Sequence, residues 1–400
     1  MRQYINRLEN MGRINVVEIA SDLVKIPSFS FMENQERDVA VYIQKLFLEE
    51  GIPTERIEVE PGRYNVTACL KGTGEGKSLM LSGHLDTVPP YGMEDPFSGR
   101  VSEGKLYGRG SCDMKGPLAA MVAAVIGVHR AGIRLKGDLY FAGVIDEEEK
   151  GKGTEYLVEN GPYTDAAIIG EPTGMQIAIG HKGLEWIKII VYGKKVHGGK
   201  MDQGVNAIVM ASKLIDRIYA DYVPKLNLRE HRILGHPTIN MGKIQGGDQP
   251  STVPGICTIE IDRRWIPGES LKQVYEELEE IAADMQRQDP KFRAEIQGIF
   301  SPEELLPHKP FCTDEGDPLI ESIRRAMDQI GCQMKELTVF PAWSDAGVLS
   351  GYTKTKCVIM GPGDLALAHS SEESIATEDL EKAAQLYGML ALEYCGIEGE

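Results

Sequence analysis

Four short apolar runs punctuate the chain: KSLMLSG, DLYFAGVI and AAIIG in the first half, and CVIMG near the C-terminus. Each predicts a buried strand. Between the first two, Gly116 to Gly132 (GPLAAMVAAVIGVHRAG) predicts a helix that opens on glycine and proline and stops at a glycine. Strands alternating with helices predict an α/β layer with a largely parallel sheet. The pattern changes after about His181. LEWIKIIVYG predicts a strand, GVNAIVMASKLIDRIYADYV a helix, and PTINMGKIQG and ICTIEIDRRWI two more strands. ESLKQVYEELEEIAADM predicts a helix with Val274, Leu278, Ile281 and Met285 on one face, and FRAEIQGIF a last strand. The order β-α-β-β-α-β is the ferredoxin-like arrangement. It predicts a compact unit over residues 181–296, inserted between residues 1–180 and 297–400 of one α/β domain.

Strand alternation also assigns faces. In ICTIEIDRRWI, Cys257, Ile259 and Ile261 point one way, and Glu260, Asp262 and Arg264 the other. Arg263 falls on the apolar side.

Composition narrows the class. Four hundred residues exceed one ordinary hydrophobic core, and 42% hydrophobic with 26% charged residues is a globular balance. No apolar run approaches the roughly 20 residues that cross a bilayer. The opening MRQYINRLENMGRINVV lacks the apolar core and cleavage site of a secretory signal. The seven cysteines are scattered with no C-x-x-C pair, which argues against a disulfide framework or zinc knuckle and for a reducing cytoplasm. A net charge of -17 disfavours nucleic acid and anionic membranes as partners, while leaving room for a local basic pocket.

Chemistry enters at the strand ends. His84 and Asp86 follow the first run, Asp146-Glu147-Glu148-Glu149 the second, Glu171 ends the third, and His369 comes after the fourth; Asp113 sits just ahead of the Gly116 helix. Each has an ordinary explanation alone: a polar strand end, a solvated acidic turn, a helix cap. Those explanations must hold independently, whereas one metal site at the carboxyl edge of a parallel sheet accounts for the set. Two imidazoles and three carboxylates suit zinc, with manganese or cobalt as alternatives. Five ligands, one carboxylate bridging, suit two metals about 3.5–4 Å apart. Such a pair activates water and polarises a carbonyl, and a further carboxylate then moves the proton. Glu147, beside Glu148, fits that task, and the chemistry is amide hydrolysis. Cys112 is read as a small filler, since neighbouring Asp113 would raise a thiol pKa.

The motifs GHLDTVP, GRGSCDMKG, DEEEKGKGT, GEPT, GKKVHGGKMDQGVNAI, IDRRWIPGES and GPGDLALAH, in this order, resemble a known family. It is the two-zinc amidohydrolases and exopeptidases that include acetylornithine deacetylase, succinyl-diaminopimelate desuccinylase, aminoacylase and glutamate-releasing carboxypeptidase. The likeness runs from LVKIPSFS to the final helix. It implies a zinc-exopeptidase-like catalytic domain with an inserted ferredoxin-like lid and dimerisation domain, and hence a homodimer. It implies two divalent metal ions per subunit: His84 and Glu171 on one, Glu148 and His369 on the other, and Asp113 bridging. Asp86 then orients the His84 imidazole, two residues away on the same strand face, and Glu147 is the general base. The alternative register makes Glu148 the base and Glu149 the ligand. His197, in KKVHGG, matches a histidine that supports the oxyanion in a partner subunit's site. Arg264 and Gly363 match substrate-binding positions, Arg264 gripping a carboxylate. Ser251 and Trp343 depart from the family's usual residues; Trp343 either shapes the substrate pocket or belongs to the core. The implied function is metal-dependent cleavage of an N-acyl amino acid, of acetylornithine deacetylase or succinyl-diaminopimelate desuccinylase type. A dipeptidase, carboxypeptidase or aminoacylase of the same family is the alternative, and a catalytically silent binding protein the reading from another class.

Overall fold

A computed structural model describes residues 14–301, 304–333 and 336–399. They divide into two units. The first comprises residues up to Gly180, Thr313–Phe340 and the chain from Ser344 onward; the second comprises His181–Cys312 with Pro341–Trp343.

The first unit is built on an eight-stranded sheet. Its order is Thr54–Glu60, Arg63–Leu70, Leu139–Val144, Leu79–His84, Ala166–Pro172, Lys356–Gly361, Ile177–Ala178 and Leu337–Thr338. The four apolar runs are its parallel centre. Leu79–His84 and Ala166–Pro172 are buried at every position, the reason these segments read as unbroken apolar runs rather than alternating ones. The strand carrying Leu139 is joined to the Arg63–Leu70 strand in antiparallel register, Val66 opposite Gly143. Over the sheet lies the helix Lys115–Arg130, buried from Lys115 to Val128. It touches the helices Val16–Lys25 and Thr377–Cys395, which complete that layer. Gly83 lets the start of this helix come close: a Cβ there would lie 2.1 Å from Met114 Cε.

The second unit is a four-stranded antiparallel sheet, Thr238–Gly246, Ile256–Trp265, Gly183–Tyr192 and Arg293–Gly298 in spatial order. Its helices Ala207–Arg217 and Leu271–Gln288 share a core with one face of the sheet. Ile187, Ile189, Val191, Cys257, Ile259 and Ile261 meet Met210, Leu214, Val274 and Leu278 there. The β-α-β-β-α-β order is present. The helix expected to run unbroken through Tyr222 and Val223 instead ends at Arg217, passes through a π-helical turn at Ile218–Tyr222, and resumes over Val223–Leu226. Pro224 lacks the N–H that a continuous α-helix would need there.

Among the described residues, no helix is long and apolar enough to cross a membrane.

Candidate active site

The parallel strands of the first unit deliver their chemistry at one edge. His84 is the last residue of its strand, Glu171 the last but one of its own, and the acidic turn starts two residues beyond Val144. His84 is buried, and its Nε2 lies 3.1 Å from Asp113 Oδ1 and 3.9 Å from Glu171 Oε1. His369 Nε2 lies 3.2 Å from the other Asp113 oxygen, Oδ2, and 3.2 Å from Glu148. Asp113 thus faces one imidazole with each carboxylate oxygen, the disposition a bridging ligand requires. Among the described residues, two groups have ligand atoms within 4.8 Å of one another: His84, Glu147 and Glu171, and His84, Asp113 and Glu148. Glu147, expected as the base, therefore stands at ligand distance from His84 and Glu171. Glu148, rather than Glu149, is the residue beside His369.

Asp86 does meet His84, but mainly through its main chain, and its side chain serves a second element as well. The strand ends at His84, so alternation does not carry over to Asp86. His84 Nδ1 meets the Asp86 backbone carbonyl at 2.9 Å, and the carboxylate only at 3.5 Å. The Asp86 carboxylate instead accepts the backbone N–H groups of Glu147 and Glu148, at 3.2 and 3.1 Å. Asp86 therefore fixes both the imidazole and the acidic turn, the first through its main chain and the second through its side chain.

Three supporting groups escape the sequence reading. Glu373 is buried; it accepts the N–H groups of Cys112 and Asp113 at 2.9 and 3.0 Å and pairs with buried Arg109. The loop holding Asp113 is anchored this way. Arg63 links Glu36 to Asp146 Oδ1, the latter at 2.9 Å, and Glu36 accepts the Asp146 N–H at 3.2 Å. Asp345 is buried with Oδ1 unpartnered. A signal for Glu373 exists in the SSEE stretch just after His369, but nothing local says which glutamate turns inward. Cys112 is buried as expected for a filler, and burial, then Asp113, push its thiol up.

The electrostatics describe a site short of positive charge. Burial raises Glu147 and Glu171 well above the ordinary carboxylate value, and the neighbouring carboxylates push further. Burial also raises Glu148, and it lifts Asp345 to about 7. Burial would raise Asp113 too, but His369 and His84 outweigh it and hold the carboxyl low. Burial opposes charge on His84, yet Asp113 and Asp86 push the imidazole up; Asp113 and Glu148 push His369 up to about 10. Buried carboxylates in this number require protons or cations. Glu171 Oε1 is buried with no hydrogen-bond partner, an orphaned acceptor aimed at His84. Two imidazole nitrogens and several carboxylate oxygens form a donor set that fits a pair of divalent cations.

Gly363 belongs to the first unit, and His197, Arg264 and Trp343 belong to the second. Gly363 adopts φ +97°, where an added Cβ would lie 2.6 Å from Cys112 Sγ. In the second unit, His197 is exposed and its Nδ1 accepts the Gly199 N–H at 3.1 Å. Arg264 is half-buried and held by Asp262 through Nε and Nη2, at 2.7 and 3.0 Å. Arg263 is fully buried, with its guanidinium on Glu269 at 2.6 Å and Tyr222 at 3.2 Å. Trp343 stacks on His308 with ring centroids 3.7 Å apart.

The chain is 28% identical over 394 residues to an acetylornithine deacetylase of Proteus mirabilis, covering 95% of this chain and 96% of the relative. It shares its fold with the crystal structure of aminopeptidase PepT from Bacillus cereus, at a TM-score of 0.77 and 23% identity over 96% and 99% of the two chains. The YXEP protein of Bacillus subtilis, described as a dinuclear metal-binding peptidase, superposes at a TM-score of 0.70 and 19% identity over 98% of each chain. Residues 80–393, which contain every candidate ligand, match the model of peptidase family M20/M25/M40. With that match spanning both units, the chain belongs to peptidase family M20/M25/M40 and is a hydrolase of amide or peptide bonds.

Proposed function

We propose that this hydrolase is a two-metal deacylase that cleaves the amide bond of an N-acyl amino acid, of the acetylornithine deacetylase or succinyl-diaminopimelate desuccinylase type. The observation that carries the reading is Asp113 set between His84 and His369, one oxygen toward each, with Glu147 within reach of the same cluster. His84 and Glu171 would hold one divalent cation, Glu148 and His369 the other, with Asp113 shared and zinc the first choice. Bound there, the pair would supply an activated water and polarise the substrate carbonyl.

Within this reading the protein's own groups divide the remaining work. Glu147 takes a proton from water and returns it to the leaving nitrogen, a task its burial favours by keeping its affinity for protons high. Asp86 and Glu373 keep the acidic turn and the Asp113 loop in place through main-chain hydrogen bonds. Arg264 binds the substrate carboxylate, Gly363 lines the substrate position, and His197 supports the oxyanion from a partner subunit. A homodimer is part of the reading. It is supported by the Thr238–Gly246 strand, which lies at the sheet edge with Ile244 exposed, and by exposed Ile208 and Val209 at the start of the Ala207–Arg217 helix. A reducing, cytoplasmic setting is supported by seven free cysteines.

The test is amine release by the zinc-loaded protein from acetyl, succinyl, formyl and aminoacyl derivatives of several amino acids. The reading expects a clear preference for one acyl–amino acid pair. Preference for the aminoacyl compounds would replace the deacylase with a dipeptidase. Silence across the panel at full metal loading would mean that the substrate is an amide of another class.

A further inference from the structure

Cross-strand pairing in the second unit lines up four side chains. Thr238 stands opposite Arg264, Arg264 opposite Leu184, and Leu184 opposite His308. Directly opposed residues of antiparallel strands project from one face. The helices cover the face that carries Ile259 and Ile261, so the Arg264 row occupies the helix-free face. Strands lie about 4.8 Å apart, which puts the Arg264 and His308 backbones about 10 Å apart with Leu184 between them.

The far end of this row is unusual. His308 is buried at 8% exposure, and its Nε2 has no hydrogen-bond partner. Trp343 stacks on it with the ring planes 17° apart, and its buried Nε1 is unpartnered too. His181 meets Trp343 edge-on at 6.2 Å. Burial pushes His308 down to about 3, and His181 and Arg264 push the same way, so the ring is neutral. At the near end, Asp262 fixes the Arg264 guanidinium through Nε and Nη2. A second cation, Lys182, feels both Arg264 and Arg263.

Buried polar atoms without partners are rare in folded proteins. An indole N–H can only donate, so its missing partner is an acceptor. Arg264, the cation of the same row, favours a negatively charged one. Leu184, between the two ends, suits the apolar stem that joins two polar groups.

We propose that this row is a specificity subsite for a substrate with two carboxylates: one on Arg264, the connecting carbons over Leu184, and the second on the ring nitrogens of Trp343 and His308. The proposal rests on reading the chain as an N-acyl amino acid hydrolase. The second carboxylate belongs to the amino acid, as in an acyl-glutamate, whose two carboxylates are joined by carbon alone; in a succinyl amide the scissile amide itself would lie between them, over Leu184. Trp343 and His308 are thus specificity-determining residues.

The experiment compares kcat/KM of the zinc-loaded full chain for N-acetyl-glutamate, N-succinyl-norvaline and N-acetyl-norvaline. N-acetyl-glutamate is expected to exceed N-acetyl-norvaline by about tenfold or more, and N-succinyl-norvaline is not; the reverse order overturns the subsite. Trp343→Phe keeps the stacked ring and removes the N–H. It is expected to lower kcat/KM for the preferred dicarboxylate about 10- to 100-fold, mostly through KM, with N-acetyl-norvaline little changed. His308→Phe is expected to give the same pattern. Equal use of all three compounds, or a preference untouched by both substitutions, overturns the subsite and leaves the hydrolase reading standing. If none of the three is cleaved, the N-acyl amino acid reading fails instead, and calorimetry decides the subsite separately. Glutarate binding tighter than butyrate and weakened by Trp343→Phe sustains it; equal or absent binding overturns it.

Discussion

Asp113 and His308 are both buried groups that titrate far from their ordinary values, and they do so for opposite reasons. Asp113 has an imidazole on each oxygen and stays ionised against burial. His308 is surrounded by burial, His181 and Arg264, all of which disfavour its charge. Its folded value, about 3, lies below the ordinary 6.5, so between those limits the unfolded chain binds a proton that the folded chain does not. Stability then rises with pH across that window: the contribution is complete above pH 6.5 and is lost as the pH falls toward 3. Urea unfolding at pH 7.5 and 5 is expected to show a loss at the lower pH that His308→Phe reduces; an equal loss in both proteins would remove His308 as a cause. The candidate metal ligands were legible in the sequence because histidines and carboxylates are common ligands of such cations and their strand-end positions can be read locally. Glu373 and His308 were not. Glu373 acts on a loop more than 250 residues away in sequence, and His308 acquires its meaning from Trp343, which is distant along the chain.

At the scale of elements, period-2 alternation separates two adjacent arginines. The Ile256–Trp265 strand alternates in burial along its whole length, which places Arg263 inside and Arg264 half-exposed. Arg263 lies between Glu269 and Tyr222, and its removal leaves a buried carboxylate with Arg229 and the Ile266 N–H as its remaining partners. Arg263→Ala is expected to cost about 3 kcal/mol in urea unfolding, the low end for breaking a buried pair. Arg264→Ala is expected to stay within about 0.5 kcal/mol of the parent, as a substitution outside the core does, and to raise KM. The reverse order would mean that the face assignment is wrong. The same local reasoning gave the apolar strands and the Gly116 helix. It failed where an element stops: alternation does not extend past His84 to Asp86, and the helix after Asn206 gives way to a π-turn ahead of Pro224.

At the scale of the whole molecule, the order of elements explains why candidate ligands so distant in sequence converge. Four parallel strands, from Leu79–His84 to Lys356–Gly361, end at one edge, and the chain between the third and fourth contributes most of a separate antiparallel unit. This organisation was readable from the switch in hydrophobic pattern near His181. The net charge of -17 is consistent with a site whose carboxylates outnumber its cations. The most direct test is a zinc titration of metal-free protein, following bound metal and amine release together, on the parent and on Glu147→Gln. The prediction is that turnover reaches its maximum at two zinc ions per chain, and that Glu147→Gln binds the same two while hydrolysing at least about 100-fold more slowly. Full turnover without metal, or a Glu147→Gln protein that hydrolyses at the parent rate, would contradict it.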